Sequence, residues 1–252
     1  SKAPQGTTEG VVEIVCGKHK AEVKVPIVNG TVPDSKEAFF GTLSDSEFSI
    51  PAYAYNANIP GRQAKWSFIP DLGREKGNMG IVPATASSTL AHKSAARLEY
   101  KVYLPSAGKT TIALGILPTQ DVNPARGLRI AIGIDGKKPV VLDARKGFVD
   151  TFGEYNPKNL ALSKVLKPLP ERSTLALSGK GKNLRNEVFD NMRWLDVELE
   201  VDKPGFHTLK VYMVDPEVVL EKIVVNPDNN RPSYFGAPSK QHNAATMEST
   251  NN

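Results

Sequence analysis

After residue 47, apolar residues recur at every second position through most of the chain. In 98–104, Leu98, Tyr100, Val102 and Leu104 share one face, while Glu99, Lys101 and Tyr103 share the other. Ile112, Leu114 and Ile116 repeat the pattern, as do Ile130, Ile132 and Ile134, which run into the turn Asp135-Gly136. Val197, Leu199 and Val201 alternate with Glu198 and Glu200; Leu209, Val211 and Met213 alternate with Thr208, Lys210 and Tyr212. One apolar face and one wet face per strand predicts antiparallel sheets packed face to face. Between Leu220 and Ile223 the parity slips, which predicts a bulge in 218–225.

Residues 11–28 read as a β-hairpin: Val12 and Ile14 alternate, Val23, Val25 and Ile27 share a face, and Gly17 lies in the turn. Helical spacing arises once, in the stripe Leu184, Val188, Met192 and Leu195, and predicts one short helix. The expected organisation is therefore a hairpin in 1–30, a linker rich in turn formers and acids in 31–46, a mostly β antiparallel sandwich in 47–238, and a flexible tail in 239–252. The hairpin reads as part of a different packing unit from the sandwich.

The 252 residues are 40% hydrophobic and 23% charged, a balance that excludes a disordered chain. No run of about 18 uncharged apolar residues is present, so no membrane span is expected. The first residue is Ser1, with no secretory apolar segment, and a processed, trimmed or excised start is expected. The one cysteine, Cys16, excludes an internal disulfide, and His19, His92, His207 and His242 are too scattered for a zinc motif. Residues 137–185 carry eleven Lys/Arg against four acids. Such a segment is a solvated basic face or an attractor of polyanions. No helix or aromatic motif supports a nucleic-acid partner beyond that charge.

The catalytic motifs fail. Gly108-Lys109-Thr110 looks like the end of a phosphate loop, but Tyr103 stands where a glycine is needed and a strand follows. No G-x-S-x-G, H-E-x-x-H or EF-hand pattern is present. Glu198 and Glu200 point to one side of a strand and read as solubilising charges. Nothing assembles a nucleophile, a base and an oxyanion donor, and no cofactor or metal is expected.

The stretch from His207 to Val225, HTLKVYMVDPEVVLEKIVV, with Gly205-Phe206 before it and Pro232-Ser233-Tyr234-Phe235-Gly236-Ala237-Pro238 after it, closely resembles the C-terminal domain of glycoside hydrolase family 115. Trp66, Ile69-Pro70-Asp71-Leu72-Gly73-Arg74, Leu98-Glu99-Tyr100, Pro118-Thr119, Gly127-Leu128-Arg129 and Ile134-Asp135 resemble further family motifs in the same order. The resemblance implies a jelly-roll sandwich like a carbohydrate-binding module, with residues 1–30 as the remnant of a preceding small β domain. It also implies a non-catalytic fragment of a bacterial, periplasmic or secreted α-glucuronidase acting on xylan. The catalytic residues of such an enzyme lie in upstream domains, and the implied partners are those domains, a second copy in a homodimer, and an acidic polysaccharide. Two departures stand out. The acids of the family's opening strand are replaced by Ser49-Ile50-Pro51-Ala52, which leaves a hard dication few oxygen ligands, and Glu217 replaces the glycine after Asp215-Pro216.

Sugar recognition uses aromatic faces and hydrogen-bonding side chains, and an arginine fork suits a uronate carboxylate. Trp66, Arg74, Trp194 and Tyr234 are the carbohydrate-binding or interface candidates on this basis. Trp66 and Tyr234 sit in Pro/Gly-flanked, loop-like motifs, and the alternative is that they anchor the sandwich. Trp194 is expected at the end of the helix stripe, and Arg62 and Arg74 have the alternative of surface or interdomain charges. Two functions remain: a structural accessory domain, or a binding module for acidic glycans such as glucuronoxylan.

Overall fold

The computed structural model describes residues 6–29, 37–41, 47–119, 123, 126–145, 187, 188, 190–226, 240 and 241. Among these, fifteen strands follow in chain order: β1 (Gly6–Cys16), β2 (His19–Asn29), β3 (Phe39–Phe40), β4 (Phe48–Pro51), β5 (Ala57–Ile59), β6 (Lys65–Pro70), β7 (Gly77–Val82), β8 (Arg97–Leu104), β9 (Gly108–Ile116), β10 (Arg129–Ile134), β11 (Val140–Asp143), β12 (Arg193–Val201), β13 (Gly205–Met213), β14 (Leu220–Val225) and β15 (Lys240–Gln241).

Among the described residues β1 and β2 pair only with each other, from Gly6 opposite Asn29 to Cys16 opposite His19, around a turn with Gly17 at φ 59°. The remaining strands form two sheets. One runs β11-β10-β13-β8-β3-β15, with β5 also on β8; the other runs β12-β9-β14-β7-β6, with β4 on β14. All pairings are antiparallel except β3 on β8.

The alternation in sequence becomes the inside and outside of this sandwich. Leu98, Tyr100, Val102 and Leu104 of β8 pack in one core with Ile112, Leu114 and Ile116 of β9, and all are at most 1% exposed. Leu209, Val211 and Met213 join from β13, and Ile130, Ile132 and Ile134 from β10. Burying such side chains contributes about 1.5–3 kcal/mol each, before the conformational entropy of ordering the chain is subtracted. The expected parity slip in 218–225 is a register shift between Leu220 and Lys222 where β14 meets β9. The Tyr100 hydroxyl donates to the Ala52 carbonyl at 2.7 Å; burial, then the neighbouring Tyr55, pushes this phenol well above its ordinary range.

Four expectations change. The helix stripe ends early: among the described residues only Glu187, Val188 and Asp190 are helical, Asn191 follows at φ 51°, and Leu195 lies inside β12 with its side chain in the core. A left-handed residue stops a helix, and from Arg193 onward the period-2 pattern governs. Val188 is 55% exposed, so it does not face the core, while Leu184 lies outside the described residues. Trp66 is on strand β6 rather than in a loop. Within the segment read as a linker, Phe39 and Phe40 are buried and Phe39 pairs with Val102, so sandwich pairing begins before residue 47. In the segment read as a tail, Lys240 and Gln241 pair with β3.

Candidate functional site

Arg74 and Trp194 meet the same short segment. The turn from β6 to β7 carries Asp71 at φ 55° and Gly73 at φ 86°. A Cβ on Gly73 would lie 2.6 Å from the Glu221 carboxylate, so the turn lies directly on that side chain. The Arg74 backbone N–H donates to Glu221 Oε1 at 2.9 Å, and its side-chain Nε donates to the Asp190 carbonyl at 2.9 Å. A guanidinium on the last carbonyls of a helical turn satisfies acceptors that the turn leaves open. Next to it, the Lys222 ammonium is paired with Glu75 at 2.5 Å, and the Tyr53 hydroxyl donates to Glu75 at 3.3 Å. Burial pushes the Glu221 carboxyl up, and the Arg74 N–H and charge, Asn78 and Lys222 offset part of that. Glu221 and Lys222 are each 1% exposed, so these groups meet protein rather than substrate.

Trp194 stands on the outer face of β12, half-buried, opposite Gly115 of β9. Its ring edge lies 3.0 Å from where a Gly115 Cβ would be, and the Met192 sulfur lies closer still, at 2.6 Å. The missing side chain is what lets the indole lie across the sheet. Trp66 is 2% exposed in the core, and its indole N–H has no hydrogen-bond partner among the described residues. Tyr234 lies outside the described residues, as does the basic segment from 146 to 185. Arg74 thus bonds the chain four residues before Trp194, whose ring lies over Gly115, and Trp66 lies elsewhere, in the core.

Two further polar links connect motifs far apart in sequence. Arg129 donates to both oxygens of Asp215, at 2.8 and 3.0 Å, and the Ser88 hydroxyl donates to the same carboxylate at 2.6 Å. His207 places Nδ1 2.7 Å from Asp135 and Nε2 2.9 Å from the Lys203 carbonyl. Burial raises the Asp135 carboxyl, but the hydrogen bonds from His207 and the Thr208 N–H, with the charges of His207 and Lys210, outweigh it and hold it below its ordinary range.

A cleft of about 390 Å³ opens between the loop from β5 to β6 and the loop from β7 to β8. Gly61 seats the first loop: a Cβ there would lie 2.7 Å from the Ala96 backbone nitrogen. The second is tied down by Thr89 N–H on the Val214 carbonyl, at 2.9 Å, and by the Ala95 N–H on the His92 carbonyl, at 2.9 Å. Ala64, Ala96 and Met213 provide apolar lining, and Arg62, Gln63 and His92 provide exposed polar groups. No carboxylate lines it among the described residues. The Ser94 N–H donates to His92 Nδ1 at 3.2 Å and the Ser94 hydroxyl lies 2.7 Å from the same nitrogen, so both contacts fall on Nδ1 rather than Nε2. Among the described residues, Arg62 is the one arginine whose guanidinium has no hydrogen-bond or ion-pair partner. In the sequence Arg62 reads as a surface or interdomain charge, and His92 as one of four scattered histidines with no zinc spacing. The lone signal was Gly61-Arg62-Gln63 in a Pro/Gly-marked loop, and its partner loop is about 30 residues away.

Among the described residues, no group of three or more His, Cys, Asp and Glu side chains is placed to hold a metal ion, and no helix is long and apolar enough to cross a membrane. No curated protein matches this sequence. Among solved structures, the chain is similar to a family 115 4-O-methyl-α-glucuronidase with specificity for decorated arabinogalactans: 15% identity, TM-score 0.45, over 81% of this chain and 20% of that one. The chain thus spans about a fifth of that enzyme's length. It is also similar to a family 35 carbohydrate-binding module from Clostridium thermocellum (12% identity, TM-score 0.41, 71% of this chain and 98% of that one). A third similarity is to the C-terminal family 6 module of LamC from Zobellia galactanivorans (11%, 0.39, 71% and 98%). The glycosyl hydrolase family 115 C-terminal domain matches over residues 44–157 and 166–239, which is most of the chain, and the protein belongs to that family.

Proposed function

We propose that this chain is the non-catalytic accessory part of a bacterial, periplasmic or secreted α-glucuronidase directed at xylan, packing on upstream domains and supporting a homodimer. The family match over residues 44–157 and 166–239 carries this reading. The buried acids and bases support it: Glu221, Lys222, Asp215 and His207 are occupied in links between strands and turns. The hairpin supports it too, since Val12, Ile14, Val23 and Val25 share one face and are 39–54% exposed, an apolar surface suited to a neighbouring domain. The test is an assay of the 252-residue chain on glucuronic-acid-decorated xylo-oligosaccharides. No release of the acid is expected, and release at enzymatic rates would overturn the reading.

The cleft favours a second role, a module that holds an acidic glycan. Affinity electrophoresis in glucuronoxylan tests it: retardation that grows with the polymer loaded is expected, and unchanged mobility at every loading would remove it.

A further inference from the structure

We propose that the cleft between the two loops is a binding site for a single hexuronate residue of a glycan, its carboxylate seated on Arg62 and a ring hydroxyl on His92 Nε2. The proposal rests on the binding-module reading and gives that reading a location and a ligand class. Its basis is the chemistry of the lining. Every other described arginine is engaged, five with carboxylates and Arg74 with a carbonyl, whereas Arg62 keeps its whole fork. A planar guanidinium binds a carboxylate through two parallel N–H···O bonds. His92 adds a second polar group, because its contacts with Ser94 engage Nδ1 and leave Nε2 to a ligand. Gln63 supplies an amide that both donates and accepts, which suits hydroxyl groups.

No acid among the described residues neutralises this set from within the cleft, so the site selects an anion. The apolar lining narrows the choice. Leu90 at the rim, 78% exposed, offers methyl and methylene surface that an inorganic anion does not use and the C–H face of a pyranose does, while the buried Ala64, Ala96 and Met213 close the cleft behind it. A volume of about 390 Å³ is at the small end for ligand clefts, which run to about 300–1,000 Å³, and suits one or two rings rather than a long chain. The loops that carry the site hang on strands whose inner residues are almost fully buried, so the donors are held by a rigid base.

The experiment is calorimetric titration of the full chain with a glucuronic-acid-decorated xylo-oligosaccharide, the undecorated oligosaccharide and inorganic phosphate, for the wild type, Arg62→Gln and His92→Ala. Both positions are exposed, and matched melting curves check that the variants fold. The decorated oligosaccharide is expected to bind, with affinity lowered about tenfold or more in Arg62→Gln and several-fold in His92→Ala, while the undecorated one and phosphate bind at least tenfold more weakly than it does. If the decorated sugar binds and Arg62→Gln leaves its affinity unchanged, the cleft assignment falls and the module reading stands. If the wild type binds no sugar, both fall. Equal affinity for decorated and undecorated oligosaccharides overturns the carboxylate assignment, and equal affinity for phosphate overturns the sugar.

Discussion

Single residues here act mainly as fasteners. The family-like stretch that holds Gly127-Leu128-Arg129 and Ile134-Asp135 meets the stretch that begins at His207 through the β10–β13 ladder and through two side-chain pairs, Arg129 on Asp215 and His207 on Asp135. Motifs that read as a signature in sequence are, in space, opposite halves of the same polar links. The Asp135 link has a sign. Its carboxyl is held below the ordinary range in the folded chain, so its contribution is fully present above the unfolded value, about 3.9, and is lost as pH falls through the folded one. Urea midpoints of the wild type and Asp135→Asn should therefore differ most near pH 6 and converge as pH drops below about 4. A gap that stays constant down to pH 2 would contradict this. The same scale shows a limit of sequence reading. Trp66, flanked by proline and glycine motifs, resembles a displayed aromatic, yet alternation with Ser67 places it inward on β6. Whether a residue's side chain lands in the core or on a loop depends on strand ends, which local composition marks poorly.

At the level of elements, alternation was the readable quantity. The strands β8, β9, β10, β13 and the irregular β14 all follow from it, and the hairpin follows from alternation around Gly17. The exception is 184–195, where residues spaced by four and three satisfy helical and extended patterns in part. Asn191 at φ 51° decides between them; asparagine is enriched in that left-handed region, but only a minority of asparagines adopt it, so its identity alone does not mark the break. The pairing of Phe39 with Val102 was hidden for another reason: two residues are too few to show a period. Gly115 is the glycine that β12 depends on, because Trp194 and Met192 occupy the space of its absent side chain. Gly115→Val should lower unfolding stability by about 1–3 kcal/mol. It should also shift tryptophan emission, since of the two tryptophans only Trp194 lies across this position. Unchanged emission with unchanged stability would mean that Trp194 does not need the glycine.

The described residues separate into a two-sheet sandwich and a hairpin whose strands, among those residues, pair only with each other. Removing residues 1–36 should shift the sandwich's melting temperature by less than about 3 °C, equivalent to about 1 kcal/mol or less in a domain of this size. A drop of 10 °C would make the hairpin part of the same folding unit. The candidate cleft was unreadable at this scale from sequence, because its two loops become neighbours only when β5 and β13 flank β8 on opposite sides. Those loops carry no core strand of their own and are fastened by backbone contacts such as Thr89 on Val214. The proposed recognition and the foldability of the chain are thereby written in different letters: side chains at 62, 63 and 92 are exposed, so exchanging them leaves the buried interior as it is.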